Sequence, residues 1–115
     1  MDVVTTIDNA EHYIWGHQCD GWHLLKSDSL SVIRERMPSG TSEIEHHHVL
    51  SEQLFYILSG TATFFLNGKL VVAEVNQSVI IPKGVNHCIK NLSENDLHFL
   101  VISAPKSHGD RVDVK

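Results

Sequence analysis

Long apolar runs and an excess of positive charge are both missing from this chain. No stretch approaches the roughly 18 consecutive apolar residues that a membrane-spanning helix needs. Lys and Arg number 9 against 14 Asp and Glu, a formal net charge of -5 over 115 residues. The basic residues form no stripe, which argues against a nucleic-acid surface. Cysteine is scarce. Cys19 and Cys88 are the only two, too few for a disulfide framework, and they read as free thiols in a reducing compartment. The opening Met-Asp-Val-Val-Thr-Thr-Ile-Asp has neither the basic stretch nor the apolar core of a signal peptide. The expectation is a cytoplasmic protein with no membrane or nucleic-acid partner. Repeats, low-complexity tracts and linkers are absent, and helical periodicity is weak everywhere. The length suits one domain, 1–115.

Short strands and turns are what the chain does have. Residues 30–37 read as a strand closed by Pro38-Ser39-Gly40, followed by strands at 41–48 and 53–59. Gly60 turns the chain into 61–66. Asn67-Gly68 is a hairpin dipeptide that accepts two positive φ angles, with 69–75 as the returning partner. Further strands follow at 78–81, 86–92 and 97–102. Leu54-Phe55-Tyr56-Ile57-Leu58 is apolar on both faces, which fits a closed barrel or sandwich with something packed outside it. About nine short antiparallel strands with tight turns predict an all-β fold, a small jelly-roll barrel. The barrel core is expected at about 24–102. Segment 1–23 precedes it, and its stretch Asp8 to His23, with Gly16, Asp20 and Gly21 as breakers, is expected to be irregular, with a short helical turn near Asn9–Tyr13. The tail, 103–115, is expected to be polar and superficial.

Histidine is over-represented, with nine residues, and three of them, His46, His47 and His48, stand in a row inside the chain. Residues i and i+2 of a strand share a face, so His46 and His48 place two imidazoles side by side and His47 opposite. A third imidazole from a distant strand would make a metal site, and His87 in Pro82-Lys83-Gly84-Val85-Asn86-His87 is the candidate. A lone histidine is more often a satisfied core or surface residue; three at this joint spacing are not.

Gly40, His46, His48, Gln53 and Gly60 stand at G-x5-H-x-H-x4-Q-x6-G, and Pro82, Gly84, His87 and Asn91 at P-x-G-x2-H-x3-N. The two patterns resemble the first and second motifs of the cupin superfamily, whose fold is the double-stranded β-helix jelly roll. The family usually has Glu where this chain has Gln53, and Gly where it has Asn76. Asn is the next-best residue for a left-handed turn. The resemblance implies one divalent transition metal, Zn, Fe, Ni, Mn or Cu, on His46, His48, Gln53 and His87. Glu52 carries the charge a metal prefers, but it leaves one residue too many before Gly60. It also falls on the opposite strand face unless a bulge near Ser51 intervenes.

The resemblance further implies a homodimer that handles a small-molecule ligand or substrate. The expected function is a metal-dependent enzyme acting on a small oxygen-rich metabolite, of isomerase, cyclase, lyase or dioxygenase type. The alternative is a non-catalytic module that captures a small ligand. Phe55 and Ile57 share the face of Gln53 and are expected to wall a mostly apolar cavity. One of Arg34 and Glu35 looks inward, and His47, His98 and Glu52 are further acid–base candidates. Trp15, Cys19, Trp22 and His23 read as packing. By parity Cys88 points away from the metal. The cluster Ser107-His108-Gly109-Asp110-Arg111 suggests no role.

Overall fold

The structure is a computed structural model and describes residues 3–114. The opening Met-Asp and the last residue of the tail lie outside it. Among the described residues the regular elements are strands: β1 (Glu11–Trp15), β2 (Cys19–Lys26), β3 (Ser31–Met37), β4 (His46–His48), β5 (Glu52–Ser59), β6 (Ala62–Leu66), β7 (Lys69–Ala73), β8 (Ser78–Ile81), β9 (His87–Lys90), β10 (Leu97–Ala104) and β11 (Arg111–Asp113). They form two antiparallel sheets, ordered β1-β2-β3-β10-β5-β8 and β11-β4-β9-β6-β7. This is the all-β jelly roll expected. No helix among the described residues is long and apolar enough to cross a membrane.

The inner faces follow from alternation. Along β5, Gln53, Phe55 and Ile57 are buried and Glu52 is exposed; along β10, Leu97, Phe99, Val101 and Ser103 are buried. The sheets meet through an aromatic contact: Phe55 of β5 lies 5.2 Å from Phe64 of β6 in the other sheet, and 5.6 Å from Phe99 of the neighbouring β10 in its own. The other side of β5 explains its two-sided apolarity. Leu54 is half-buried against Ile102 of β10 and Ile80 of β8, and Ile80 remains 60% exposed.

Turn chemistry is where the sequence placed it. Asn67 and Gly68 have φ of 49° and 80°, and Asn76 has φ of 67°. Gly60, with φ of 90°, cannot carry a side chain, because a Cβ there would stand 2.7 Å from the Asp96 carbonyl oxygen.

Three expectations need correction. Residues 8–23 are not irregular: β1 and β2 form a hairpin that adds two strands to the larger sheet. Gly16 and Gln18, with φ of 54° and 60°, supply its turn, whereas Asp20 and Gly21 lie inside β2. The turn near Asn9 closes just before β1, with Thr6 donating its N–H to Asn9 Oδ1. Second, β4 is only three residues long; Ser42 touches Lys90 in an isolated bridge and 43–45 is not strand. Third, the tail, superficial as expected, carries a short strand. β11 pairs with β4, Arg111 opposite His48 and Asp113 opposite His46.

Candidate metal centre

β4 carries His46 and His48 on its inner face, and β9 brings His87 directly opposite His46. The three rings sit 4.4 to 5.8 Å apart between centroids, and one ring nitrogen of each lies within 4.8 Å of the others. All three are buried, His87 to 1% exposure. His46 Nδ1 is 2.7 Å from the Ile44 carbonyl oxygen, and His87 Nδ1 is 2.9 Å from that of Val85. A carbonyl only accepts, so both Nδ1 atoms carry the proton and both Nε2 atoms keep their lone pairs. The sequence does this locally, because each imidazole reaches back two residues on its own chain. Burial, with the neighbouring cations and imidazoles adding to it, pushes His46 and His48 down to about 4; His87 is also lowered, chiefly by burial. Three neutral imidazoles at neutral pH are a metal-donor set.

Gln53 lies inward on β5 and is 5% exposed. Its Nε2 donates to Ser103 Oγ of β10 at 3.0 Å, and its Oε1 is buried without a partner. His87 Nε2 and His48 Nδ1 are likewise buried and unpartnered. Buried polar atoms are rarely left unpaired. Orphaned acceptors beside three imidazoles fit a cation, so the residues present suit a divalent metal. Glu52 points to solvent, beside Leu54 and Ile80 on the outer face. Ser103, which sets the amide's orientation, was not legible beforehand.

A cavity of about 270 Å³ opens on this cluster. Its wall includes Gln53, Phe55, Val101, His46 and His48, as the sequence suggested in part, but also several polar groups. Apolar surface, to which Ile33 also contributes, is the larger part of the wall, with the polar groups set into it. Ile57 is fully buried in the core and does not line it. Glu35 of β3, Glu43, Tyr13 and Trp15 of β1, Arg111 of β11 and the tail residues Ser107, His108 and Gly109 complete it. Burial pushes Glu35 up to about 7 and Glu43 up to about 8. Glu43 Oε1 is 3.9 Å from His46 Nδ1 and makes no hydrogen bond.

The tail cluster acquires a role. Asp110 accepts backbone N–H groups from Val49 (3.1 Å), Leu50 (3.1 and 3.0 Å) and Ser51 (2.8 Å), tying the tail to the turn between β4 and β5. The remaining candidates lie elsewhere. His47 Nδ1 is 3.1 Å from Asn86 Oδ1, on the opposite face of β4. His98 stands 3.5 Å from Arg34, and neither lines the cavity. Cys88 faces a separate surface depression with Phe65 and Lys90; both cysteines are free and buried.

Fold and site together are those of a barrel carrying a three-histidine cluster. A family model, the Cupin domain, matches residues 33–103, and the chain belongs to the cupin family. It is 31% identical over 85 residues to the oxalate-binding protein of Thermotoga maritima, covering 70% of each chain. It is 39% identical over 97 residues to mannose-1-phosphate guanylyltransferase of Escherichia coli, where it spans 84% of itself and only 20% of that longer protein. Among solved structures, the polyketide cyclase RemF of Streptomyces resistomycificus superposes with a TM-score of 0.86 at 17% identity, over 100% of this chain and 87% of that one. At that identity the likeness is one of fold.

Proposed function

We propose that this cupin holds one divalent transition metal on His46, His48, His87 and Gln53 and uses it to act on a small oxygen-rich metabolite. The observation that carries the reading is the donor set: three buried neutral imidazoles beside an amide oxygen with no other partner. All four donors are neutral, so a bound divalent ion keeps its full charge and supplies Lewis acidity toward a carbonyl, enol or carboxylate. The chain's own residues do the rest. His46 and His87 are locked in the tautomer that presents Nε2, Ser103 turns the Gln53 amide, and Phe55 and Trp15 supply apolar wall beside the donors. Arg111 adds positive charge for an anionic ligand. Isomerase, cyclase, lyase and dioxygenase types all fit such a site. The alternative reading is a binding module without turnover, which the likeness to an oxalate-binding protein favours; turnover assays on the metal-loaded protein separate the two. Buried free thiols fit a cytoplasmic setting. The apolar outer face of Leu54, Ile80 and Ile102 suits a second copy of the chain.

Elemental analysis of protein purified without chelators tests the metal reading. It should find close to one divalent ion per chain, and His46→Ala, His48→Ala and His87→Ala should each lose most of it. Protons compete for the same lone pairs. With His46 and His48 at about 4 and His87 also lowered by burial in the folded chain, metal affinity should be kept at neutral pH and weaken as acid protonates first His87 and then the other two. Full occupancy in His87→Ala protein would sink the assignment.

A further inference from the structure

Glu35 stands in the wall of the cavity through an arrangement that spans three strands. Tyr13 of β1 lies opposite Gly21 of β2, and Gly21 lies opposite Glu35 of β3. Residues two strands apart are separated by about 9–10 Å, twice the spacing of neighbouring strands. A side chain between them would block any contact. Gly21 has none, and a Cβ built there would overlap Cζ and Oη of the Tyr13 ring. The ring therefore lies across β2, and Tyr13 Oη donates to Glu35 Oε2 at 2.9 Å. Glycine inside a strand weakens it unless something must approach its backbone closely. Here the tyrosine does, and its hydroxyl fixes a carboxyl in the cavity that also contains His46, His48 and the unpartnered Oε1 of Gln53.

We infer that Glu35, positioned by Tyr13 across Gly21, is the hydrogen-bond donor with which the cavity recognises an oxygen of a small dianionic carboxylate ligand. The inference rests on the metal reading above and adds a second recognition point. Tyr13 occupies Oε2, so the carboxyl proton belongs on Oε1. Glu35 is desolvated enough to keep that proton near neutral pH, burial outweighing the opposing pull of the Tyr13 hydroxyl and of Arg111. The other titratable or charged groups around it are Cys19 on β2, Glu43 before β4, Arg111 on β11, and His46, His48 and His108 around the cavity. An ionised carboxylate there would repel an anionic ligand; the acid form attracts it. Tyr13 is a positioning residue, and Gly21 is the vacancy that lets it reach.

Calorimetry of oxalate binding to zinc-loaded protein tests this, run between pH 6.5 and 8.5 in buffers of different ionisation enthalpy so that protons taken up are counted. The wild type should take up a larger fraction of a proton per oxalate than Glu35→Gln at pH 7–8. Its affinity should fall as pH rises above the Glu35 midpoint, by up to tenfold per unit. Glu35→Gln can still accept from Tyr13 and donate from its amide, so it should bind with weaker pH dependence and overtake the wild type at pH 8.5. Tyr13→Phe removes a hydrogen bond that favours the carboxylate, so it should move the decline to higher pH. A purely structural tyrosine would not shift that midpoint. Equal proton uptake in wild type and Glu35→Gln, or loss of uptake in Glu43→Gln instead, overturns the assignment to Glu35 alone. No oxalate binding at one zinc per chain overturns the carboxylate inference and leaves the metal site standing; failure to retain zinc overturns the metal reading itself.

Discussion

Gln53 is the residue on which the charge of the site depends. Its amide is held by Ser103 so that nitrogen is satisfied and oxygen is not, while its neighbour Glu52 faces water. A carboxylate at 53 would lower the net charge around a divalent ion by one. Metal titrations should therefore show Glu52→Gln binding like the wild type, Gln53→Ala binding roughly 10-fold or more weakly, and Gln53→Glu binding as well or better. The water bound to the Gln53→Glu site should titrate at higher pH, since its metal is the weaker acid. If Glu52→Gln strips the metal and Gln53→Ala does not, the register of β5 around this site is wrong in solution.

Two elements set the shape around that residue. The turn before β8 uses Asn76 at φ 67°; its N–H donates to Ile57 O at 2.9 Å, and its Oδ1 accepts from Tyr56 Oη at 3.2 Å. In thermal denaturation Asn76→Gly should be nearly neutral, whereas Asn76→Val should cost on the order of 1 kcal/mol or more, because a β-branched side chain clashes in the left-handed region. The tail is the second element. Burial opposes ionisation of Asp110, but the N–H groups of Leu50, Ser51 and Val49 together hold its carboxyl below the usual range. A carboxyl lowered on folding contributes stability above its unfolded value and loses it as pH falls through the folded one. Hydrogen exchange should thus show amides 49–51 well protected at pH 7 and less so in acid. In Asp110→Ala they should be unprotected at both, while the strands of the larger sheet exchange as before. Unchanged protection in Asp110→Ala would mean that the tail is not tied there.

At the scale of the molecule, the outer face of the larger sheet is the unfinished surface. Leu54, Ile80 and Ile102 line an apolar depression of about 200 Å³, with Ile80 60% exposed. Burial of such a face is worth roughly 25 cal/mol per Å². Sedimentation should show a dimer whose melting temperature rises with protein concentration, and Ile80→Glu should shift it to monomer without loss of strand content. A wild-type chain that sediments as a monomer at all concentrations would exclude this face as an interface.

The sequence by itself determined the parts governed by short-range rules. The two-residue period of a strand put His46 and His48 together and His47 opposite, and the same parity set Gln53 and Glu52 on opposite faces, with the motif spacing before Gly60 marking Gln53 as the inward one. Asn67-Gly68 declared its turn because few residues tolerate positive φ; Asn76 was marked by standing where the second motif usually has Gly. His87 was legible only through a second motif, since nothing local says that β9 runs beside β4. The tertiary structure alone decided what depends on strands distant in the chain. Gly21 reads locally as a breaker, because an isolated strand gains nothing from glycine; with Tyr13 lying over it, the same residue becomes the middle of a three-strand contact. Ser103, Glu43 and Arg111 reach the site through pairings between β5 and β10 and between β11 and β4, or through the chain leading into β4, and carry no local mark. Desolvation of the two glutamates likewise comes from the assembled cavity, which no run of neighbouring residues can encode.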